Sequence, residues 1–190
     1  PLVDGVVDYL KKKQIRVFGP DKFTSQLEGS KAFMKNLCKK NNIPTANFWK
    51  VKSLKEAKEI NFTSPNPLVV KADGLASGKG VFIPESKEAS INATEEIFKG
   101  KFGNAGEIIV LEEKIEGPEV SVFALCDGKK YVLLPTAQDH KRVGEGDTGK
   151  NTGGMGAYSP SRLINDELEI KILNKIIKPT PVSYTHLRAH

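Results

Sequence analysis

The segment Val69-Val70-Lys71-Ala72-Asp73-Gly74-Leu75-Ala76-Ser77-Gly78-Lys79-Gly80-Val81 decides how the chain is read. An apolar run ending in a lysine enters a glycine-rich turn carrying a second lysine, and Val81-Phe82-Ile83 then resumes a strand-like pattern. Glycine has no Cβ, so backbone N–H groups at Gly74, Gly78 and Gly80 can approach a phosphate closely, while Lys71 and Lys79 add point charges. A P-loop would need four residues between its glycines and a Ser or Thr after its lysine. Here three residues separate Gly74 from Gly78, Gly80 follows Lys79, and a strand comes next where a P-loop opens a helix. The segment therefore predicts a phosphate-gripping hairpin; an ordinary glycine-rich turn with surface lysines shares the same pattern.

Toward the N-terminus, Val3, Val6, Val7 and Leu10 follow helical spacing and predict a helix near residues 3–12. Ile15-Arg16-Val17-Phe18 predicts a short strand stopped by Gly19-Pro20, a rhythm that fits the end of a doubly wound domain whose beginning is missing. Ser30 is the candidate N-cap of a helix carrying Ala32, Phe33, Leu37 and Cys38, ended near Asn41-Asn42. A strand at residues 48–51, a helix at 53–60 and a strand at 68–72 follow. Past the hairpin come a helix at 86–98, a buried strand at 108–111, and strands at 120–125 and 131–134 around an Asp127-Gly128 turn. Residues 135–160 show no periodicity and are rich in glycine, which predicts a long functional or disordered loop. A last helix opens at Asp166 with Leu168, Ile172, Leu173 and Ile176 facing inward. Residues 181–190 fit no preceding pattern and hold two of the three histidines, so they are expected to be a cloning scar or an out-of-frame read-through.

The net charge of +6 suits an anionic partner, and a nucleotide or sugar phosphate satisfies it as well as a nucleic acid does. The lysines are scattered and no aromatic residues interleave with them, which argues against nucleic-acid binding. No apolar run approaches the roughly 18 residues a membrane span requires. Cys38 and Cys126 lie far apart without metal-ligand or CxxC spacing, as expected of buried thiols in a reducing cytoplasm.

Two further constellations follow the hairpin. Glu112-Glu113-Lys114-Ile115-Glu116-Gly117-Pro118-Glu119 leaves the buried strand at 108–111. Backbone groups at such a strand end can meet an adenine edge, Ile115 can cover the ring, and the Glu119 carboxylate can accept from ribose hydroxyls. Taken alone it reads better as an acidic surface turn at a domain junction; its place after the hairpin shifts the balance. The loop from Gln138 to Pro160 contains Asp139-His140-Lys141-Arg142 and Asn151-Thr152-Gly153-Gly154-Met155. Arg142 suits bidentate contact with a phosphate, Lys141 adds charge, and the glycines allow close backbone approach to a ligand.

In order and at this spacing, Leu27-Glu28-Gly29-Ser30-Lys31, the 71–80 segment, Glu112-Glu113 and the 138–160 loop closely resemble the phosphoribosylamine–glycine ligase family of ATP-grasp enzymes, over essentially residues 1–180. The resemblance implies an α/β (α+β ATP-grasp) fold. Residues 1–26 would end an N-terminal doubly wound domain, 27–47 and 116–180 would form part of the central ATP-grasp domain, 48–115 the lid, and 181–190 a foreign tail. It also implies a nucleotide site: Lys31 and Lys71 on the nucleotide, Gly74, Gly78, Lys79 and Gly80 closing over phosphates, Glu112, Glu113 and Ile115 at adenine, and Glu119 at ribose. Asp139, His140, Lys141, Arg142, Asn151, Thr152, Gly153, Gly154 and Met155 would contact substrate, with catalytic roles at Lys71, Lys141 and Arg142.

The implied reaction is ATP-driven joining of glycine to 5-phosphoribosylamine through a glycyl phosphate, in the cytoplasm, with no nucleic acid or membrane involved and with possible fusion to other purine-pathway domains. In the family the Mg²⁺ (or Mn²⁺) ligands follow the position of Thr180. No metal ligand is therefore assigned within this chain, and it is expected to bind nucleotide weakly and not to catalyse ligation by itself. Another ATP-grasp carboxylate–amine ligase, a nucleotide-binding domain without chemistry, and a basic nucleic-acid-binding module remain the alternatives.

Overall fold

The computed structural model describes residues 1–181 except Lys129 and Asp147. The tail expected to be foreign thus lies outside the described residues beyond Pro181. The chain divides into two units, one made of Pro1–Lys40 and Pro44–Ile115, the other of Asn41–Ile43 and the chain from Glu116 onward.

In the first unit α1 (Val6–Lys12), α2 (Gln26–Gly29) and α3 (Lys31–Lys40) precede β1 (Phe48–Val51), α4 (Leu54–Thr63), β2 (Val69–Ala72), β3 (Val81–Phe82), α5 (Lys87–Glu96) and β4 (Ile109–Glu112). The strands form one antiparallel sheet in the order β1-β4-β2-β3. Helices α4 and α5 begin where Ser53 and Ser86 accept the backbone N–H of Glu56 and Ala89, which satisfies amides that a first turn otherwise leaves unpaired. These helices pack on each other, α4 also against β1 and α5 against β2. The core contains Val51, Ala57, Leu68, Val70, Ala72, Ile97, Ile109 and Leu111. Burying each of the larger aliphatic side chains is worth about 1.5–3 kcal/mol.

Side chains alternate along a strand. Val70 and Ala72 of β2 and Ile109 and Leu111 of β4 enter this core, so Lys71, Val110 and Glu112 fall on the opposite face. β4 is buried along its whole length because both faces are covered.

Three expectations for this unit need correction. The helix predicted from residue 3 starts at Val6, because Gly5 takes a left-handed φ of 92° just ahead of it. Residues 15–18 form no strand: they pair with none among the described residues, and Ile15 and Phe18 are exposed. Without a ladder partner, an apolar run has nothing to fix it as a strand. Helix α5 passes into a π-helical turn, Ile97–Lys101, where Gly100 at φ 99° breaks the regular winding.

The second unit contains β5 (Ser121–Cys126), β6 (Tyr131–Asp139), β7 (Arg142–Gly144), β8 (Thr148–Asn151), β9 (Ala157–Tyr158) and α6 (Asp166–Ile172), which continues into a π-helical turn, Leu173–Ile177. β5, β6 and β9 form one antiparallel sheet in that order, and β7 and β8 a separate hairpin. The predicted turn after β5 is present: Asp127 accepts the Lys130 N–H on its side chain, and Gly128 takes φ 93°.

Residues 135–160 are not a featureless loop. β6 runs on to Asp139, β9 returns beside it with Gln138 opposite Tyr158, and β7 and β8 pair between them. These strands are short and mostly exposed, so their pairing rests on backbone hydrogen bonds and leaves no hydrophobic alternation for sequence reading to detect. In α6 no residue is buried, and Ile176, predicted to face inward, is exposed. Leu168, Ile172 and Leu173 are half-buried, so the predicted inward side is partly covered.

Candidate functional site

Antiparallel register places Lys71 of β2 opposite Val110 of β4, and Val69 opposite Glu112. Lys71 and Glu112 are therefore diagonal neighbours on one face of the sheet, within reach of each other. The Lys71 ammonium lies 2.9 Å from Glu112 Oε2. On the same oxygen, at 3.0 Å, sits the ammonium of Lys35 from α3. Lys35 also donates to Thr45 Oγ1 at 2.7 Å and lies over the Phe48 ring at 5.9 Å. The Lys35 and Glu112 side chains are each only 5% exposed, whereas that of Lys71 is 26% exposed. The other carboxylate oxygen, Glu112 Oε1, is buried with no hydrogen-bond partner among the described residues. An acceptor in that condition costs about 1–3 kcal/mol. Two ammonium groups thus share one carboxylate that keeps an acceptor position open.

One turn before Lys35, the start of α3 is tied to the end of β2. Ser30 Oγ accepts the Phe33 N–H at 3.0 Å and donates to the Asp73 carboxylate. The same carboxylate accepts the Ala32 N–H at 2.6 Å, and the Asp73 carbonyl accepts the Lys31 N–H at 3.2 Å. The Lys31 ammonium reaches the carbonyl of Gly74 at 2.8 Å and that of Asp73 at 3.4 Å. Burial pushes the Lys31 ammonium below its ordinary pKa, while Asp73 is first among the carboxylates opposing that shift.

Beyond this root the loop forms a single 3-10 turn, Ala76–Gly78, closed by the Ala72 N–H on the Gly80 carbonyl at 2.8 Å. Its glycines serve different ends. A Cβ on Gly74 would lie 2.6 Å from Ala105 Cβ, and one on Gly80 2.7 Å from Ala76 Cβ. Gly78, at φ 74°, faces open space and is required by its backbone conformation. Lys79 is exposed beside it.

After β4, Glu113 is anchored to the start of β1: its N–H donates to the Asn47 carbonyl at 3.0 Å, and Asn47 Nδ2 donates to its carboxylate at 2.9 Å. Ile115 follows with its side chain exposed.

In the second unit Lys141 lies 2.9 Å from Glu119 and 3.7 Å from Asp139. The hydrogen bond that Lys141 donates to Glu119 is the chief cause raising the Lys141 pKa above its ordinary value, against the opposing effect of burial. The pair is largely solvated, so Glu119→Gln lowers the stability of this unit at pH 7 by less than about 1 kcal/mol. The contribution is complete below the ordinary lysine value of 10.5 and disappears as pH climbs through the raised one. Urea unfolding followed by circular dichroism, at pH 7 and in strong base, checks both statements.

His140 stacks on Tyr158 with ring centroids 5.8 Å apart, its N–H donates to the Gly156 carbonyl, and its carbonyl accepts the Met155 N–H. Thr152 closes on the Lys141 carbonyl through both its N–H and its hydroxyl, and its Oγ1 accepts the Gly154 N–H. Arg142 is exposed at the start of β7, with Asn151 as its backbone partner; the Asn151 side chain lies outside the described residues. Gly153 and Met155 are exposed.

The first unit accordingly gathers Lys31, Lys71, Gly74, Gly78, Lys79, Gly80, Glu112, Glu113 and Ile115. The second gathers Glu119, Asp139, His140, Lys141, Arg142 and the 151–155 segment. Sequence reading missed Lys35. Helical spacing did not mark it: at about 100° per residue, position 35 lies opposite the mean direction of Ala32, Phe33, Leu37 and Cys38. Among the described residues no group of three or more His, Cys, Asp or Glu side chains is placed to hold a metal ion.

Residues 29–186 match the model of the phosphoribosylglycinamide synthetase ATP-grasp (A) domain. A phosphoribosylamine–glycine ligase of Brucella melitensis is 47% identical over 180 residues, which are 95% of this chain and 42% of that protein. The bifunctional purine biosynthetic protein PUR2,5 of Pichia angusta is 49% identical over 181 residues, 95% of this chain and 23% of that protein. The crystal structure of phosphoribosylamine–glycine ligase from Thermotoga maritima matches with a TM-score of 0.79 at 38% identity, covering 88% of this chain and 42% of that one. The chain thus spans less than half the length of each of these relatives.

Proposed function

Because the chain belongs to the phosphoribosylglycinamide synthetase ATP-grasp (A) domain family, we propose that it supplies the nucleotide grip of an ATP-dependent carbon–nitrogen ligase that joins glycine to 5-phosphoribosylamine. The observation that carries this reading is the pair of ammonium groups, Lys35 and Lys71, on a buried carboxylate with one orphaned oxygen. Two cations on one anion leave a local excess of positive charge. Lys71, the more exposed of the two, turns to a polyphosphate at little desolvation cost. The chain leaving β4 at Glu112 and Glu113 meets the adenine edge, where a backbone carbonyl accepts the exocyclic amine and would meet only an oxygen lone pair at the equivalent edge of guanine, so the site selects ATP over GTP. The 74–80 loop covers the phosphates, with Lys79 supplying further charge.

Of the second unit's residues, the family resemblance assigns Glu119 to the ribose hydroxyls and Lys141 and Arg142 to phosphoryl and substrate anions. Glycine's carboxylate oxygen attacks the γ-phosphorus and ADP leaves. The amine nitrogen of 5-phosphoribosylamine then attacks the acyl carbon, phosphate leaves with the bonding electrons, and the nitrogen loses a proton. The residues contribute by neutralising and aligning several anions. No step is routed here through a metal ion. The free thiols of Cys38 and Cys126 suit a reducing cytoplasm, and the Pichia relative suggests that this segment also functions within fused purine-pathway proteins.

Calorimetric titration tests the grip. The chain should take up ATP measurably and GTP at least tenfold more weakly, and Lys71→Met should lower ATP affinity about tenfold, the order expected for one charge-assisted contact. Absence of ATP uptake, or equal affinity for the two nucleotides, overturns the reading. In a full-length protein carrying this segment, ADP formation that requires both glycine and the amine, and not formate or bicarbonate, separates this ligase from other members of the superfamily.

A further inference from the structure

We propose that Asp73 is the positioning residue of the grip: by capping α3 from the end of β2, it fixes the separation of Lys35 and Lys71. The proposal rests on the nucleotide reading above for its functional consequence, but its structural content stands on separate contacts. Of the first three amides of α3, two terminate on Asp73, that of Lys31 on the main-chain carbonyl and that of Ala32 on the carboxylate. The third, from Phe33, ends on Ser30 Oγ, and Ser30 in turn donates to the same carboxylate. A helix start carries partial positive charge, so a carboxylate there is held by charge as well as by hydrogen bonds. Asp73 is itself fixed from behind, since its N–H donates to the Ile108 carbonyl at 3.0 Å and that of Gly74 to the Ala105 carbonyl at 3.1 Å.

The linkage from this cap to the ammonium groups is short. Lys71 lies two residues back along β2, about 6–7 Å at the rise of a strand. Lys35 lies three residues beyond Ala32, about 4.5 Å at the rise of a helix. Displacement of α3 against β2 is therefore passed to the two ammonium groups almost undiminished. Contacts of 2.9 and 3.0 Å on Glu112 leave only a few tenths of an ångström before hydrogen-bond geometry is lost. Lys31 acts as a second strap on the loop root through the carbonyls of Asp73 and Gly74. Asp73 thus acts on phosphate binding through Lys35 and Lys71, without touching the ligand.

The test compares wild type with Asp73→Asn and Asp73→Ala, at temperatures where each retains its native circular dichroism. Lysine acetylation by acetic anhydride, read by mass spectrometry at Lys35 and normalised to exposed Lys55, reports whether the ion cluster is held. ATP titration reports the grip. Asp73→Ala should raise Lys35 labelling about tenfold and weaken ATP binding by a similar factor. Asp73→Asn, which keeps one acceptor oxygen, should fall between. A merely structural loss would speed labelling only in step with global unfolding, so selective exposure of Lys35 in folded protein is the distinguishing result. If Asp73→Ala does not fold, Asp73→Asn decides on the same two readouts. Unchanged Lys35 protection in the folded variants overturns the proposal. Should wild type bind no ATP, the nucleotide reading fails, while the labelling still decides whether Asp73 sets the lysine geometry.

Discussion

Glu112→Ala is expected to destabilise the first unit by about 3–5 kcal/mol, the range for removing one partner of a buried ion pair. The substitution strands the Lys35 ammonium, 5% exposed, with only Thr45 Oγ1 and a longer contact to the Ala46 carbonyl. Lys71 loses the same partner but has access to water. Trp49 is the chain's one tryptophan and packs against the core of this unit, so its fluorescence during urea unfolding reads the loss directly. Glu112→Gln keeps the volume and one acceptor and should cost less. The informative companion is Lys35→Met with Glu112→Leu. Replacing a buried pair by apolar groups of similar size is often neutral or stabilising. If the double substitution recovers most of the stability while ATP uptake is lost, the ion cluster is retained for binding and not for folding. A loss below about 1 kcal/mol for Glu112→Ala would mean that Lys35 finds other solvation, and the account of the cluster would fail.

Gly74→Val gives the second large effect, about 1–3 kcal/mol from overpacking alone. The added Cβ would lie 2.6 Å from Ala105 Cβ and 2.9 Å from Ala105 Cα, so backbone has to move. That movement also strains the Gly74 N–H bond to the Ala105 carbonyl and shifts the carbonyl that holds Lys31. Gly78→Val is the control. Its Cβ meets nothing within 4 Å, and its cost comes only from the positive φ of 74°. Thermal melting of both variants, with hydrogen exchange of the Gly74 and Ala105 region, should show a local opening for Gly74→Val that Gly78→Val does not reproduce. Equal behaviour would show that the loop root is less tightly packed than these distances imply.

The parts of the fold that sequence reading reached are those in which pattern and packing agree. The 109–112 strand opens on a continuous apolar run because both of its faces are covered, the 48–51 and 69–72 strands are apolar except at Lys50 and Lys71, and Ser53 and Ser86 mark helix starts by the cap they form. Residues 15–18 misled because their apolar run answers to no partner strand. Residues 135–160 misled in the opposite direction, since ladders such as Gln138–Tyr158 are main-chain objects on a polar surface. At the site, Lys71 and Glu112 were legible from their place at strand ends. Lys35 was not, because a lysine on a helix is ordinarily a solvated charge, and only the packing of α3 against β4 brings it to Glu112. The glycines were legible as a group but not by role: Gly74 and Gly80 yield room to neighbouring alanines, and Gly78 supplies a backbone angle.

The capping of α3 by Asp73 also bears on biosynthesis. Ala32 and its acceptor are 41 residues apart in the chain. During translation the helix is therefore made well before the ribosome has added the group that completes its first turn. Until β2 follows, that turn has only Ser30 to hold it and frays in the nascent polypeptide. Because loop closure has to precede the gain from a distant contact, a slow stretch of codons just upstream of Asp73 would prolong exposure of the unfinished helix to chaperones and proteases.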